Sequence, residues 1–157
     1  MKRNIFPHIP PTAYCLLLTA YCLLVTACLC AQTPKQLSIT IHNIYPVKGD
    51  IYIAIYDNDD DFMDIEKVAF RKIAPIESEV QTIILNDIPA GEYAVSVFQD
   101  IDENGELNTN TIGIPSEPFG FSNDARGRFG PPKFKNAKFA FPGTQEISIK
   151  LVNNEKD

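Results

Sequence analysis

Oxygen-bearing side chains occupy alternate positions in one stretch of the chain: Asp100, Asp102, Asn104, Glu106 and Asn108, with Gly105 among them. That pattern suits a hard divalent cation. A Ca2+ loop takes roughly six to eight oxygens, needs a glycine for its tight bend, and uses a backbone carbonyl just after that glycine. Asp100, Asp102 and Asn104 would supply side-chain oxygens, Glu106 its carbonyl, and Asn108 a direct or water-mediated contact. The twelfth position is Thr111 rather than a bidentate glutamate, and no helical pattern flanks the run. Both features argue against an EF-hand. The competing account is a β-turn closed by Asx hydrogen bonds, since Asp and Asn bond nearby backbone and Asn-Gly tolerates positive φ. Further ligands would come from Asn110 or from the acidic run Asp57, Asp59, Asp60, Asp61, which otherwise reads as a solvated loop. Such a site would bind in the ~10⁻⁴ to 10⁻³ M range of extracellular modules.

A second cluster lies further along, at Phe119-Gly-Phe121 and Arg128-Phe129-Gly-Pro-Pro-Lys-Phe134. Exposed Phe119, Phe121 and Phe129 beside Arg126 and Arg128 would form a platform for an anionic or planar ligand. The competing account is that the phenylalanines pin a long loop onto the body of the domain, because a loop of ~30 residues must bury something to stay ordered.

Catalysis finds little support. The only histidines are His8 and His42, and no nucleophile elbow, zinc helix motif or phosphate loop is present. A carboxylate pair drawn from the 57–61 and 100–108 loops remains the one hydrolase reading.

The elements that must carry these loops are strands. Leu37, Ile39 and Ile41 alternate with Ser38, Thr40 and His42, the period of a half-buried strand. Ile51–Tyr56 is apolar on both faces and suits a central strand. A helical turn is expected at about 60–65, tucking Phe62 against the sheet, then strands at about 67–75 and 79–88. Pro89-Ala-Gly-Glu-Tyr93 makes a tight turn into the strand 93–98. Its Tyr93 is placed like the tyrosine corner of Greek-key sandwiches. Strands at 137–141 and 146–152 follow the loop. The pattern predicts an all-β fold: an antiparallel, immunoglobulin-like sandwich of about seven strands with one long ordered loop over about 99–132.

The N-terminus is expected to lie outside that domain. Lys2 and Arg3 precede an uncharged, mostly apolar run from Ala13 to Ala31, the pattern of a secretory signal. A retained membrane anchor is the alternative. Cleavage after Ala31 would release residues 32–157 as one domain. Val25-Thr-Ala-Cys28 instead resembles a lipobox, which would lipidate Cys28 and tether the protein to a membrane. All four cysteines (15, 22, 28, 30) lie in this segment, so the domain itself has no disulfide or thiolate site. Setting Lys2 and Arg3 aside leaves 12 basic against 20 acidic side chains, a formal charge of −8. That balance argues against nucleic acid and fits cations or solubility.

The stretch Phe98-Gln-Asp-Ile-Asp-Glu-Asn-Gly-Glu-Leu-Asn-Thr-Asn, with Gly-Ile-Pro-Ser-Glu-Pro-Phe-Gly-Phe-Ser-Asn-Asp-Ala and Gly-Pro-Pro-Lys-Phe-Lys-Asn-Ala-Lys-Phe after it, resembles the exported bacterial domain-of-unknown-function family numbered 2141. Gly49-Asp-Ile-Tyr-Ile-Ala-Ile-Tyr-Asp and Ile-Pro-Ala-Gly-Glu-Tyr-Ala-Val extend the resemblance over most of the chain. It implies a secreted, periplasmic or envelope-held β-sandwich and transfers no catalytic residue. Family members often carry His just before the acidic run, where this chain has Gln99. The tract from Ile88 to Asp102 also resembles prealbumin-like sandwich modules. Together these readings favour a non-catalytic binding or accessory module facing an envelope protein or glycan, with either no cofactor or one Ca2+. The alternatives are a small carboxylate-dependent hydrolase and a purely structural interaction domain.

Overall fold

The computed structural model describes residues 35–153. The expected signal segment, the Cys28 lipobox and all four cysteines lie outside the described residues. Within them, eight strands form two facing sheets. The first sheet has the order β4 (Gln81–Asn86), β1 (Gln36–His42), β8 (Thr144–Lys150). The second runs β3 (Phe70–Pro75), β2 (Asp50–Tyr56), β5 (Gly91–Asp100), β6 (Phe119–Phe121), and β7 (Phe139–Phe141) joins the start of β5. Every pairing is antiparallel except β1 with β8. The fold is an all-β sandwich, and that parallel pair is its one departure from the expected antiparallel pattern.

Strand alternation builds the core. Leu37, Ile39 and Ile41 of β1, Ile83 and Leu85 of β4 and Ile149 of β8 face inward from one sheet. Ile51, Ile53 and Ile55 of β2 with Val95 and Val97 of β5 face them from the other. Burial on this scale stabilises by roughly 1.5–3 kcal/mol per large side chain. Tyr93 closes one end: its hydroxyl donates to the Pro89 carbonyl at 3.1 Å, the tyrosine corner read from the sequence.

A second apolar cluster covers part of the outer face of the larger sheet. Tyr56, Ala54 and Ala94 meet Phe121, Phe134 and Ala137 there. Phe62 seals it, edge-on to Tyr56 at 5.2 Å and to Phe134 at 5.6 Å. The 3-10 turn Ile65–Lys67 follows it, slightly later than expected, and Phe134–Ala137 is a single helical turn, α1.

The expected loop of about 99–132 is shorter than its sequence suggests. β5 runs on to Asp100, and Phe119–Phe121 pairs with it as β6. Gly120 makes this strand fit. A β-carbon there would come within 2.8 Å of Ile149 Cγ2 and 3.0 Å of the Lys150 carbonyl. Glycine therefore lets β6 approach the end of β8. Phe119 and Val152 then exchange two backbone hydrogen bonds across the sheets, at 3.1 and 2.8 Å.

Candidate cation site

Two strand ends set the site. β5 pairs with β6 through Ser96↔Phe121 and Phe98↔Phe119, and the Gln99 N–H extends that pairing to the Pro118 carbonyl at 2.8 Å. Carried one step further, this register sets Glu117 opposite Asp100. Both carboxylates are then on the outer face of the sheet, at cross-strand neighbour distance. Asp100 is 0% exposed and Glu117 4%. The loop that leaves β5 brings Asp102 back to them, and oxygens of Asp100, Asp102 and Glu117 lie within 4.8 Å of one another.

Hydrogen bonds fix each carboxylate. Asp100 accepts the N–H of Asn104 at 3.2 Å through Oδ1 and that of Gly105 at 2.8 Å through Oδ2. Gly105 adopts φ 84°, the left-handed conformation that suits glycine. Glu117 accepts the Ile101 N–H at 2.7 Å and the Asn108 N–H at 2.9 Å, one on each oxygen. Asp102 is held from the side by the amides of Asn104 (3.2 Å) and Asn108 (2.8 Å), and these amides also bond to each other at 2.8 Å. Below, Gly49 packs so tightly under Asp100 that a β-carbon would collide with the Asp100 carbonyl.

The electrostatics are one-sided. Among the described residues no Lys or Arg forms an ion pair with Asp100, Asp102 or Glu117. Carboxylates whose oxygens lie within 4.8 Å of one another repel when both are charged, the more so out of bulk water. Backbone donors offset part of the burial cost but carry no full charge. A divalent cation would remove the repulsion and satisfy the oxygens together.

Of the residues read from the sequence, Asp100, Asp102, Asn104 and Asn108 come together. Glu106 joins only through its backbone, whose N–H donates to Asn104 Oδ1 at 2.7 Å, and the residue also borders a neighbouring groove. Thr111, at the twelfth position, is carried away by the lobe 109–115, closed by the Thr109↔Pro115 bridge. Asn110 turns inward on that lobe and accepts the N–H groups of Ile112 and Ile114. The acidic run 57–61 contributes nothing to the three-carboxylate group. Asn58 binds Asp57 and Asp61, and Lys67 bridges Asp61 at 3.0 Å and Asp64 at 3.4 Å. Hydrogen bonding from Asn58, then from Lys67, holds the Asp61 carboxyl below its ordinary range. Glu117 is the residue that sequence reasoning missed. Its signal was the Phe-Gly-Phe strand two residues on, whose pairing puts Glu117 at the acidic loop.

The phenylalanine surface does not form as one platform. Phe121 is buried and Phe119 half-buried, because strand pairing draws both into the sheet. Phe129 is 93% exposed, with the Arg128 guanidinium 5.6 Å above its ring. Arg126 meets Phe119 and Phe121 in a hollow of about 140 Å³ that Lys150 also lines, so three of the five residues come together while Arg128 and Phe129 stand apart from them.

The family model described as an uncharacterised protein conserved in bacteria, DUF2141, matches residues 39–150. The chain belongs to that family. The DUF2141 match takes in β2 to β8, all of β1 but its first three residues, and the three carboxylates. No curated protein and no solved structure matches the chain.

Proposed function

We propose that this DUF2141 chain is an exported, non-catalytic β-sandwich module whose 100–117 loop binds Ca2+, and that the cation orders a surface for an envelope protein or glycan partner. The observation that carries the reading is the buried Asp100–Glu117 pair, joined by Asp102 and free of any cationic partner among the described residues. Oxygen-only donors favour Ca2+ over softer metals. Asp100 and Glu117 each spend both oxygens on backbone N–H groups, which suits fixed acceptors better than a mobile acid and base. Export rests on the N-terminal pattern of charge and apolarity.

Asp102→Asn is the clean test, because Asp102 is exposed and accepts only from side-chain amides. Ca2+ at ~100 times Kd, which is ~10 mM for a Kd of ~10⁻⁴ M, should stabilise the native protein by ~2.7 kcal/mol. For a domain of this size that is a rise of roughly 10 °C in the melting midpoint. Asp102→Asn should melt normally in EDTA and lose most of the rise. A midpoint that does not move through ~10 mM Ca2+, well above the weak-site range, would reduce the loop to a hydrogen-bonded turn.

A further inference from the structure

The outer face of the larger sheet carries a groove of about 360 Å³ that the cation reading leaves without a role. It lies between two loops. Met63 and Ile65 form one wall, and Gly105 to Leu107 the other. Its floor is a cross-strand row. Arg71 on β3 pairs with Ala54 on β2, and Ala54 with Ser96 on β5. The two small residues at the centre leave a slot between larger neighbours on the same strands. On one side Tyr52 and Phe98 stack at 4.8 Å with an interplanar angle of 19°. On the other stands Tyr56, two residues along β2 from Ala54. A ring seated over Ala54 would lie ~6.6 Å along β2 from Tyr52 on one side and from Tyr56 on the other, within the ~4.5–7 Å centroid range of aromatic contacts.

The polar groups give the slot a direction. Arg71 donates to the Ile65 carbonyl at 2.6 Å, which holds its guanidinium beside the groove. No carboxylate pairs with it among the described residues. At the opposite end Ser96 on β5 offers a hydroxyl, two strand spacings or ~10 Å from the Arg71 backbone. Met63 and Ile65 are 40% and 51% exposed at the rim, an apolar cover with nothing on it. Small-ligand sites have this composition: an apolar, aromatic lining with a few polar groups at fixed points.

We propose that this groove binds a small aromatic carboxylate. Its ring lies over Ala54 and Ser96 between the Tyr52–Phe98 stack and Tyr56, its carboxylate pairs with Arg71, and a hydroxyl at the far end of the ring meets Ser96. The guanidinium fork matches a carboxylate with two parallel hydrogen bonds, and a neutral amide loses that match. Glu106 at the open wall disfavours a second negative group there, which restricts the ligand to a single anionic end.

The test is an amide-resolved NMR titration of the full chain with 3-(4-hydroxyphenyl)propanoate, run in EDTA and again in Ca2+. Saturable shifts are expected at Ala54, Arg71, Ser96 and Gly105 in both buffers. Arg71→Gln, an exposed change, should weaken binding about tenfold, as should the amide of the same compound. Three results would overturn the assignment: no saturable shift, equal binding of acid and amide, or shifts centred on Arg126 and Lys150. Binding that needs Ca2+ and vanishes in Asp102→Asn would also overturn it, since the carboxylate would then sit on the cation rather than on Arg71. Loss of the cation response alone, with the titration unchanged, would leave the groove standing and sink only the Ca2+ reading.

Discussion

Asp100 and Glu117 are costly residues to keep together, and the positions around them are correspondingly constrained. Gly49 is the most exacting. It has φ 80°, and any side chain would run into the Asp100 carbonyl. The same backbone contact holds the end of β5 where Asp50 pairs with Asp100. Gly49→Ala would add left-handed strain of order 1 kcal/mol to a steric clash with backbone, which cannot move aside cheaply. We expect a loss of at least ~2 kcal/mol, read as a lower midpoint in urea unfolding. The loss should be the same in EDTA and in Ca2+, because the damage is to the strand and not to the oxygens. A wild-type midpoint would mean that the β5 end moves freely, and with it the rigid placement of Asp100. Gln99 beside it spends its amide on the Pro46 and Lys48 carbonyls, at 2.6 and 3.0 Å. It faces the core rather than the acidic loop.

The strands also explain which parts of the chain could be read in advance. β1 and β8 alternate cleanly, and β2 is apolar on both faces because its outer side carries the second cluster. Tyr93 sits after a Pro-x-Gly turn, so its corner was legible as well. What failed to register was a three-residue strand with glycine at its centre. Phe119-Gly-Phe121 has too few residues for a period, and its pairing depends on partners about 20 residues earlier in β5. Missing it hid Glu117, whose place follows only from that register. The metal-ligand spacing was visible within Asp100–Asn108, but the closing carboxylate is a tertiary contact. Ser122 is similar. Nothing in the sequence marks it, yet it is 1% exposed and ties β5 to α1. Its hydroxyl accepts the Val95 N–H at 2.9 Å and donates to the Ala137 carbonyl at 2.6 Å. Ser122→Ala would leave the Val95 donor buried and unpaired, while Ala137 keeps a bond from Asn123 at 3.1 Å. An orphaned buried N–H costs about 1–3 kcal/mol. The melting midpoint should fall by several degrees, and hydrogen exchange should quicken at Val95 first. A normal midpoint with Val95 still protected would mean that water replaces the hydroxyl.

At the scale of the molecule, the two sheets hold each other without a disulfide in the described residues, so global stability tracks burial. That gives a pH dependence on the alkaline side. Tyr56 is 2% exposed and Tyr93 6%, and desolvation raises both phenols above the ordinary value of 10.0. For Tyr56 the Ser96 hydrogen bond opposes this, Asp64 adds to it and Arg71 subtracts. For Tyr93 the Asp57 charge adds to it. The folded protein therefore keeps these phenols neutral at a pH where the unfolded chain has begun to lose their protons. Their contribution is complete below the unfolded value of about 10 and disappears as pH rises through the folded values. Urea midpoints should thus be level up to about pH 9.5 and decline above it, once other groups are allowed for with a Tyr56→Phe control. That variant keeps the ring against Phe62 and removes the ionisable group, so its decline should be shallower than that of the wild type. It also removes a hydroxyl from the groove, on the strand between those of Arg71 and Ser96. If the hydroxyl of the bound ring meets Ser96 alone, affinity for 3-(4-hydroxyphenyl)propanoate should change less than threefold, which is about 0.65 kcal/mol. A larger loss, with the alkaline slope changed as expected, would make Tyr56 the partner of that hydroxyl and shift the ligand along β2 towards Tyr56.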